Sequence, residues 1–134
     1  KNITAFNEAV GGKDGKAKIF LSEHNTGGHS FFHSKKNSEK TVTVPVVSLK
    51  SFIKKNRLNE INLLKMDCEG AEYSILLNTP RQTLEKIKKI SMEYHNVDDK
   101  NNIDSLKTHL ENNGFRVKIL DDDRRMLYAY RPSK

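Results

Sequence analysis

Apolar residues change their spacing several times along this chain, and each change marks an element. Ile3–Phe6 reads as a short strand. Gly11-Gly12-Lys13-Asp14-Gly15 reads as a turn, because glycine and aspartate accept the backbone angles of tight turns. Ala17–Leu21 alternates and predicts a second strand. Residues 22–40 are polar and rich in Gly, His, Ser and Asn, which predicts a long polar loop, with room for a short strand near Phe31-Phe32. A connection of that length is unusual in a compact domain and favours a lid or substrate loop.

Thr41–Val47 is β-branched and predicts a strand, with Pro45 pointing to an edge or a bulge. Ser48 suits the N-cap of a helix over Leu49–Lys55, where Leu49, Phe52 and Ile53 form the apolar stripe. Ile61–Met66 is nearly continuous apolar sequence, the pattern of an interior parallel strand. Gly70–Leu77 is expected to be helical, and Pro80 to open a short helix over Arg81–Glu85. Lys89–Glu93 predicts the next strand. Ile103–Asn113 predicts an amphipathic helix through Ile103, Leu106 and Leu110, ended by Gly114. Phe115–Leu120 and Met126–Tyr130 read as a hairpin joined by Asp121–Arg125. The second half is therefore β-α-β-α-β-β. Parallel strands need helical crossovers and the closing hairpin adds an antiparallel strand, so the class is α/β with a mixed sheet.

The acids stand out against this frame. Asp67 falls at the carboxyl end of the strand over Ile61–Met66, the edge where open α/β sheets bind ligands. Glu69 and Glu72 follow, and Gly70 between them permits a tight turn or close approach to a ligand. At i,i+3 on a helix, Glu69 and Glu72 would face one site, where a cation or a donor-rich ligand relieves their repulsion. The simpler alternative is that Asp67 or Glu69 only caps the helix. Glu93-Tyr94-His95 ends the following strand, so a parallel neighbour brings Glu93 and His95 to the same edge. A carboxylate and an imidazole there can position a hydroxyl or take its proton. The alternative for His95 is an exposed loop position.

His24, His29 and His33 share the polar loop, and of these His29 is the candidate for contact with a substrate. No helix fixes their spacing, so no metal site is read from the sequence. The single cysteine, Cys68, excludes an internal disulfide. Its acidic neighbours disfavour a thiolate, so it reads as a half-buried small residue.

Size and charge add less. The 134 residues suit one domain with a modest core. The net charge of +7 is scattered in short runs broken by Asp121-Asp122-Asp123. That is the pattern of a solvated surface, and no specific nucleic-acid partner is expected. No apolar run approaches the length of a membrane span. Lys1–Thr4 is not a signal peptide, and the Asn2-Ile3-Thr4 sequon is of a kind common by chance. A cytoplasmic location is expected, while oligomeric state is not legible. The chain begins without Met and inside an expected strand, which reads as a fragment or a processed chain.

Leu64-Lys65-Met66-Asp67-Cys68-Glu69-Gly70-Ala71-Glu72-Tyr73-Ser74-Ile75-Leu76 resembles the signature of the FkbM-like methyltransferases. Ala9–Gly15, Val44–Leu49 and Met92–His95 resemble further stretches of that family in the same order. The resemblance implies a doubly wound methyltransferase fold and S-adenosylmethionine as cofactor. It matches Asp67 to the acid at the end of strand four, close to where methyl donor and acceptor meet, and Glu93 and His95 to the end of strand five. It also implies that residues 1–134 are the C-terminal two-thirds of a methyltransferase domain, an incomplete doubly wound sheet. The family's glycine-rich first loop and strand-two acid have no counterpart here, and weak cofactor binding by this chain alone is expected.

The resulting expectation is an O-methyltransferase that acts on a hydroxyl of a sugar-containing or other small acceptor. Asp67 or His95 assists the acceptor, Asp67 also lies by the cofactor, and Glu69, Gly70, Glu72, Glu93 and His29 shape the pocket. The competing expectation is a non-catalytic binding module or a degenerate remnant of the enzyme.

Overall fold

The computed structural model describes residues 2–22, 37–95, 101–120 and 125–132. Their strands form two sheets. In the first, β1 (Ala9–Gly11), β2 (Gly15–Ser22) and β3 (Asn37–Ser48) lie in the order β1-β3-β2. The middle strand β3 pairs parallel with β1 from Ala9↔Val46 and antiparallel with β2 from Gly15↔Val46. In the second, β4 (Leu64–Met66), β5 (Lys89–Glu93), β6 (Arg116–Leu120) and β7 (Met126–Tyr130) lie in the order β4-β5-β7-β6. β4 and β5 are parallel, and the β6–β7 hairpin is antiparallel, as expected of the mixed sheet.

Local signals account for the helices. Ser48 is extended and accepts a hydrogen bond from Ser51 N at 3.2 Å, opening α1 (Leu49–Lys55). Lys54 and Lys55 occupy its last turn, the favourable end for cations. Asn102 caps α4 (Ile103–Asn112) by accepting from Ser105 N at 2.9 Å, and Gly114 closes it at φ +85°. Two short helices, α2 (Glu72–Leu77) and α3 (Arg81–Leu84), carry the crossover from β4 to β5. Proline 80 stands at the cap of α3 rather than inside it.

One core joins these layers. Met66, Ile90, Met92, Leu127 and Ala129 from the second sheet pack with Ile75, Leu76, Leu84, Leu106 and Leu110 from the helices, and with Leu49 and Ile53 of α1. Each full burial of such a side chain stabilises the fold by about 1.5–3 kcal/mol. The turn after β1 is pressed onto α2: a Cβ on Gly12 would lie 2.5 Å from Ser74 O.

Several sequence expectations need correction. Ile3–Phe6 forms no strand; Ile3 is 88% exposed, and Phe6 instead meets Phe52 edge-on at 5.0 Å. The first strand starts at Ala9 and reaches into the expected turn, because β3 offers it a ladder that Ile3–Phe6 lacks. Asn37–Lys40, read as loop, opens β3, whereas residues 23–36, including His24, His29, Phe31, Phe32 and His33, lie outside the described residues. Pro45 sits on a central strand, one residue short of the stretch that β1 pairs, where only Lys16 of β2 stands opposite. The Ile61–Met66 strand contracts to Leu64–Met66, with a single bridge from Ile61 to Ile87. β4 is an edge of its sheet among the described residues, not an interior strand, and Leu63 beside it is 58% exposed. No helix among the described residues is long and apolar enough to cross a membrane.

Candidate active site at the ends of β4 and β5

The parallel register Met66↔Met92 brings the residues after β4 and β5 to one edge. Beyond β4, Asp67 is exposed and Cys68 half-buried. Glu69 and Gly70 then take positive φ angles, 50° and 100°. Gly70 does so without the steric penalty that a Cβ brings, so the expected turn is present here. α2 begins only at Glu72, and its cap, Ala71, makes no side-chain cap bond. Neither Asp67 nor Glu69 caps the helix, which removes the capping alternative.

Glu72 organises this turn. Its side chain is fully buried, with 0% exposure. Oε1 accepts from Cys68 N at 2.8 Å and Oε2 from Gly70 N at 2.9 Å. The same Oε1 faces His95 Nδ1 at 3.3 Å. A buried carboxylate is tolerable only when donors surround it in this way. The β5 end is fixed in turn by buried Tyr94, whose N–H donates to Arg125 O at 2.9 Å.

His95 is therefore held on one nitrogen by Glu72 and presents the other to two carboxylates. Nε2 faces Glu69 Oε2 and Glu93 Oε1, each at 3.7 Å, beyond hydrogen-bonding range. The ligand atoms of Asp67, Glu69 and His95 all lie within 4.8 Å of one another. Glu69 and Glu72 do not share a helical face, since Glu69 precedes the helix; they contact opposite nitrogens of one imidazole. Of the sequence candidates, Asp67, Glu69, Gly70, Glu72, Glu93 and His95 come together, and His29 lies outside the described residues.

The local electrostatics quiet two other groups. Burial, and then the charge of Glu72, push the Cys68 thiol up, so a thiolate is disfavoured there. The same two causes push the Tyr73 phenol up to about 12, and its hydroxyl is buried without a hydrogen-bond partner among the described residues.

Sequence reasoning missed a second feature. A cleft of about 450 Å³ lies between the β1–β2 turn and α2, lined by Gly12, Lys13, Lys16, Lys18, Ala71 and Ser74 among others. Its rim is held by Asp14, which accepts from Ser48 N at 2.7 Å and Ser51 Oγ at 2.6 Å. Those two bonds, the amide first, hold the Asp14 carboxyl below its usual range. The pairing of an Asp in a glycine turn with a capping Ser-x-x-Ser is a signal only once the turn and the helix are known to touch.

The acid and the imidazole thus stand at the carboxyl edge of a parallel strand pair, the edge at which open α/β sheets bind ligands. Residues 2–117 match the methyltransferase FkbM domain, and the chain belongs to that family. It is also 36% identical over 84 residues to the AMB antimetabolite synthetase AmbE of Pseudomonas aeruginosa. That alignment covers 56% of this chain and 4% of the synthetase, so the chain spans only a small part of that relative. No solved structure matches.

Proposed function

We propose that the β4/β5 edge is the acceptor side of an S-adenosylmethionine-dependent O-methyltransferase site. The observation that carries this reading is His95, oriented by buried Glu72 and flanked by Glu69, Glu93 and Asp67. A neutral imidazole with one nitrogen held by a carboxylate has a defined lone pair on the other, as a general base requires. His95 takes the acceptor hydroxyl proton, and Asp67 and Glu93 accept hydrogen bonds from neighbouring hydroxyls of a small, sugar-containing or secondary-metabolite acceptor. The donor set fits the cofactor, because carboxylates complement a sulfonium cation and hydroxyl protons. When bound, the cofactor supplies an electrophilic methyl group. The residues of this chain align and deprotonate the acceptor.

We also read the chain as the C-terminal two-thirds of a methyltransferase domain. The unpaired edge of β4 among the described residues supports this. That edge also favours a second reading, a non-catalytic binding module, since the strand-end acids then have a wall on one side only. Calorimetric titration of S-adenosylmethionine into the 134-residue chain and into the whole gene product separates these. Binding only by the whole product, with methyl transfer lost in His95→Ala, is expected. Tight binding by the 134-residue chain would overturn the division of the site, and no binding by the whole product would overturn the methyltransferase reading.

A further inference from the structure

We propose that the cleft between the β1–β2 turn and α2 binds the phosphate group of a phosphorylated small molecule through Lys13, Lys16 and Lys18. All three line the cleft, and the one acid lining it is Asp14. That carboxylate is already engaged, since Oδ1 accepts from Ser48 N and Oδ2 from Ser51 Oγ. The three lysines are exposed, and none forms an ion pair among the described residues. Lys16 and Lys18, two apart on β2, share one face of the strand, and Lys13 stands on the turn before it. Three ammonium groups around one space, with no acid free to answer them, make a field that attracts an anion.

The kind of anion follows from the donors. A carboxylate is matched best by the planar fork of an arginine, and no arginine lines the cleft among the described residues. Separate ammonium groups act as point charges and suit a dianion with several oxygens, a phosphate monoester. Ala17, Val46 and Ala71 add apolar wall for the carbon body of the ligand. The volume of about 450 Å³ is that of a small-molecule site. The cleft is also preformed. Cβ atoms on Gly11 and Gly12 would lie 2.6 Å from Val46 Cγ1 and 2.5 Å from Ser74 O, so close backbone contact sets its shape. Asp14 ties the turn to the start of α1, and a fixed cleft spares a ligand the cost of ordering it. Ala71 stands between Gly70 and Glu72 in the chain, so the cleft adjoins the strand-end site. Any use of the cleft by the methyl acceptor rests on the function proposed above, whereas phosphate binding does not.

The test is calorimetric titration of the 134-residue chain with phenyl phosphate at low ionic strength, with benzoate as the matched carboxylate. One saturable site for phenyl phosphate is expected, at least about fivefold tighter than benzoate. The double variant Lys16→Gln/Lys18→Gln weakens it at least about tenfold, because two exposed charge pairs are lost. Lys54→Gln/Lys118→Gln removes the same charge from exposed positions outside the cleft and leaves binding within about twofold. All four side chains are exposed, so neither variant disturbs the core. No saturation up to about 10 mM phenyl phosphate, equal binding of benzoate, or equal losses in the two double variants would overturn the phosphate site. Phenyl phosphate binding without methyl transfer by the whole gene product would leave the cleft standing and remove the methyltransferase reading.

Discussion

Glu72→Gln tests the centre of the structural argument, because it removes a charge while keeping the side chain's size. Three donors converge on the two carboxylate oxygens: Cys68 N and His95 Nδ1 on Oε1, and Gly70 N on Oε2. An amide has one carbonyl oxygen. With that oxygen in the Oε1 place, its NH₂ meets the Gly70 N–H donor to donor. Reversed, the NH₂ meets the Cys68 N–H. One backbone donor loses its acceptor in either orientation, and an unpaired buried donor costs about 1–3 kcal/mol. The bonds that survive lose their charge assistance, a further ~1 kcal/mol. Relief of the carboxylate's desolvation works in the opposite direction. A net loss of roughly 2–3 kcal/mol follows. For a chain of this size that lowers the melting temperature by about 6–12 °C. Glu69→Gln is the matched control, with the same change in charge on a side chain that is 39% exposed, and should cost under ~1 kcal/mol. Thermal and urea unfolding of both variants decide the matter. Equal shifts in the two, or a loss below about 1 kcal/mol in Glu72→Gln, would refute the account of Glu72 as the anchor of the turn.

Three further outcomes are expected. Asp14 has a depressed carboxyl, so its stabilisation is present above the ordinary value of 3.8 and fades as pH falls through the folded value. The gap in melting temperature between the parent chain and Asp14→Asn should therefore hold steady near neutral pH and close only as pH falls below the ordinary value of 3.8, and a pH-independent gap would contradict the clamp. Tyr73, 1% exposed and raised to about 12, should ionise well above an ordinary phenol in an ultraviolet titration. A phenol raised in the fold holds its proton more tightly than in the unfolded chain, so stability falls between about pH 10 and about pH 12. Tyr73→Phe should abolish that fall and, by removing an unpaired hydroxyl, leave neutral-pH stability within ~1 kcal/mol of the parent. Gly12→Ala drives a Cβ to within 2.5 Å of Ser74 O, and the backbone shift needed should cost about 1–3 kcal/mol, read as a lower urea midpoint.

Much of the second half was legible because its signals are local. Ser48 accepts from the amide three residues on, Asn102 does the same at α4, and Gly114 takes the left-handed angle that ends that helix. The strands β5 and β7 appear at their expected bounds, since apolar alternation and flanking breakers lie within a few residues of each other. The family signature lay in one continuous run from Leu64 to Leu76 and named most of the strand-end acids.

What the sequence by itself determined was the α/β class, the capped helices, the closing hairpin and the edge at which Asp67, Glu93 and His95 would meet. The tertiary structure decided three things. β1 formed at Ala9–Gly11 rather than Ile3–Phe6 because a strand needs a partner, and Val46–Ser48 lies far along the chain. β4 stands at an edge because its neighbours are set by the whole sheet order. Glu72 turned inward while Glu69 stayed at the rim, because only the folded turn supplies two backbone donors and an imidazole to receive a buried carboxylate. Two of those donors are near neighbours in sequence, but the turn that aims them and the imidazole from β5 exist only in the fold, and a buried carboxylate requires all of them, which separates Glu72 from the acids left at the rim.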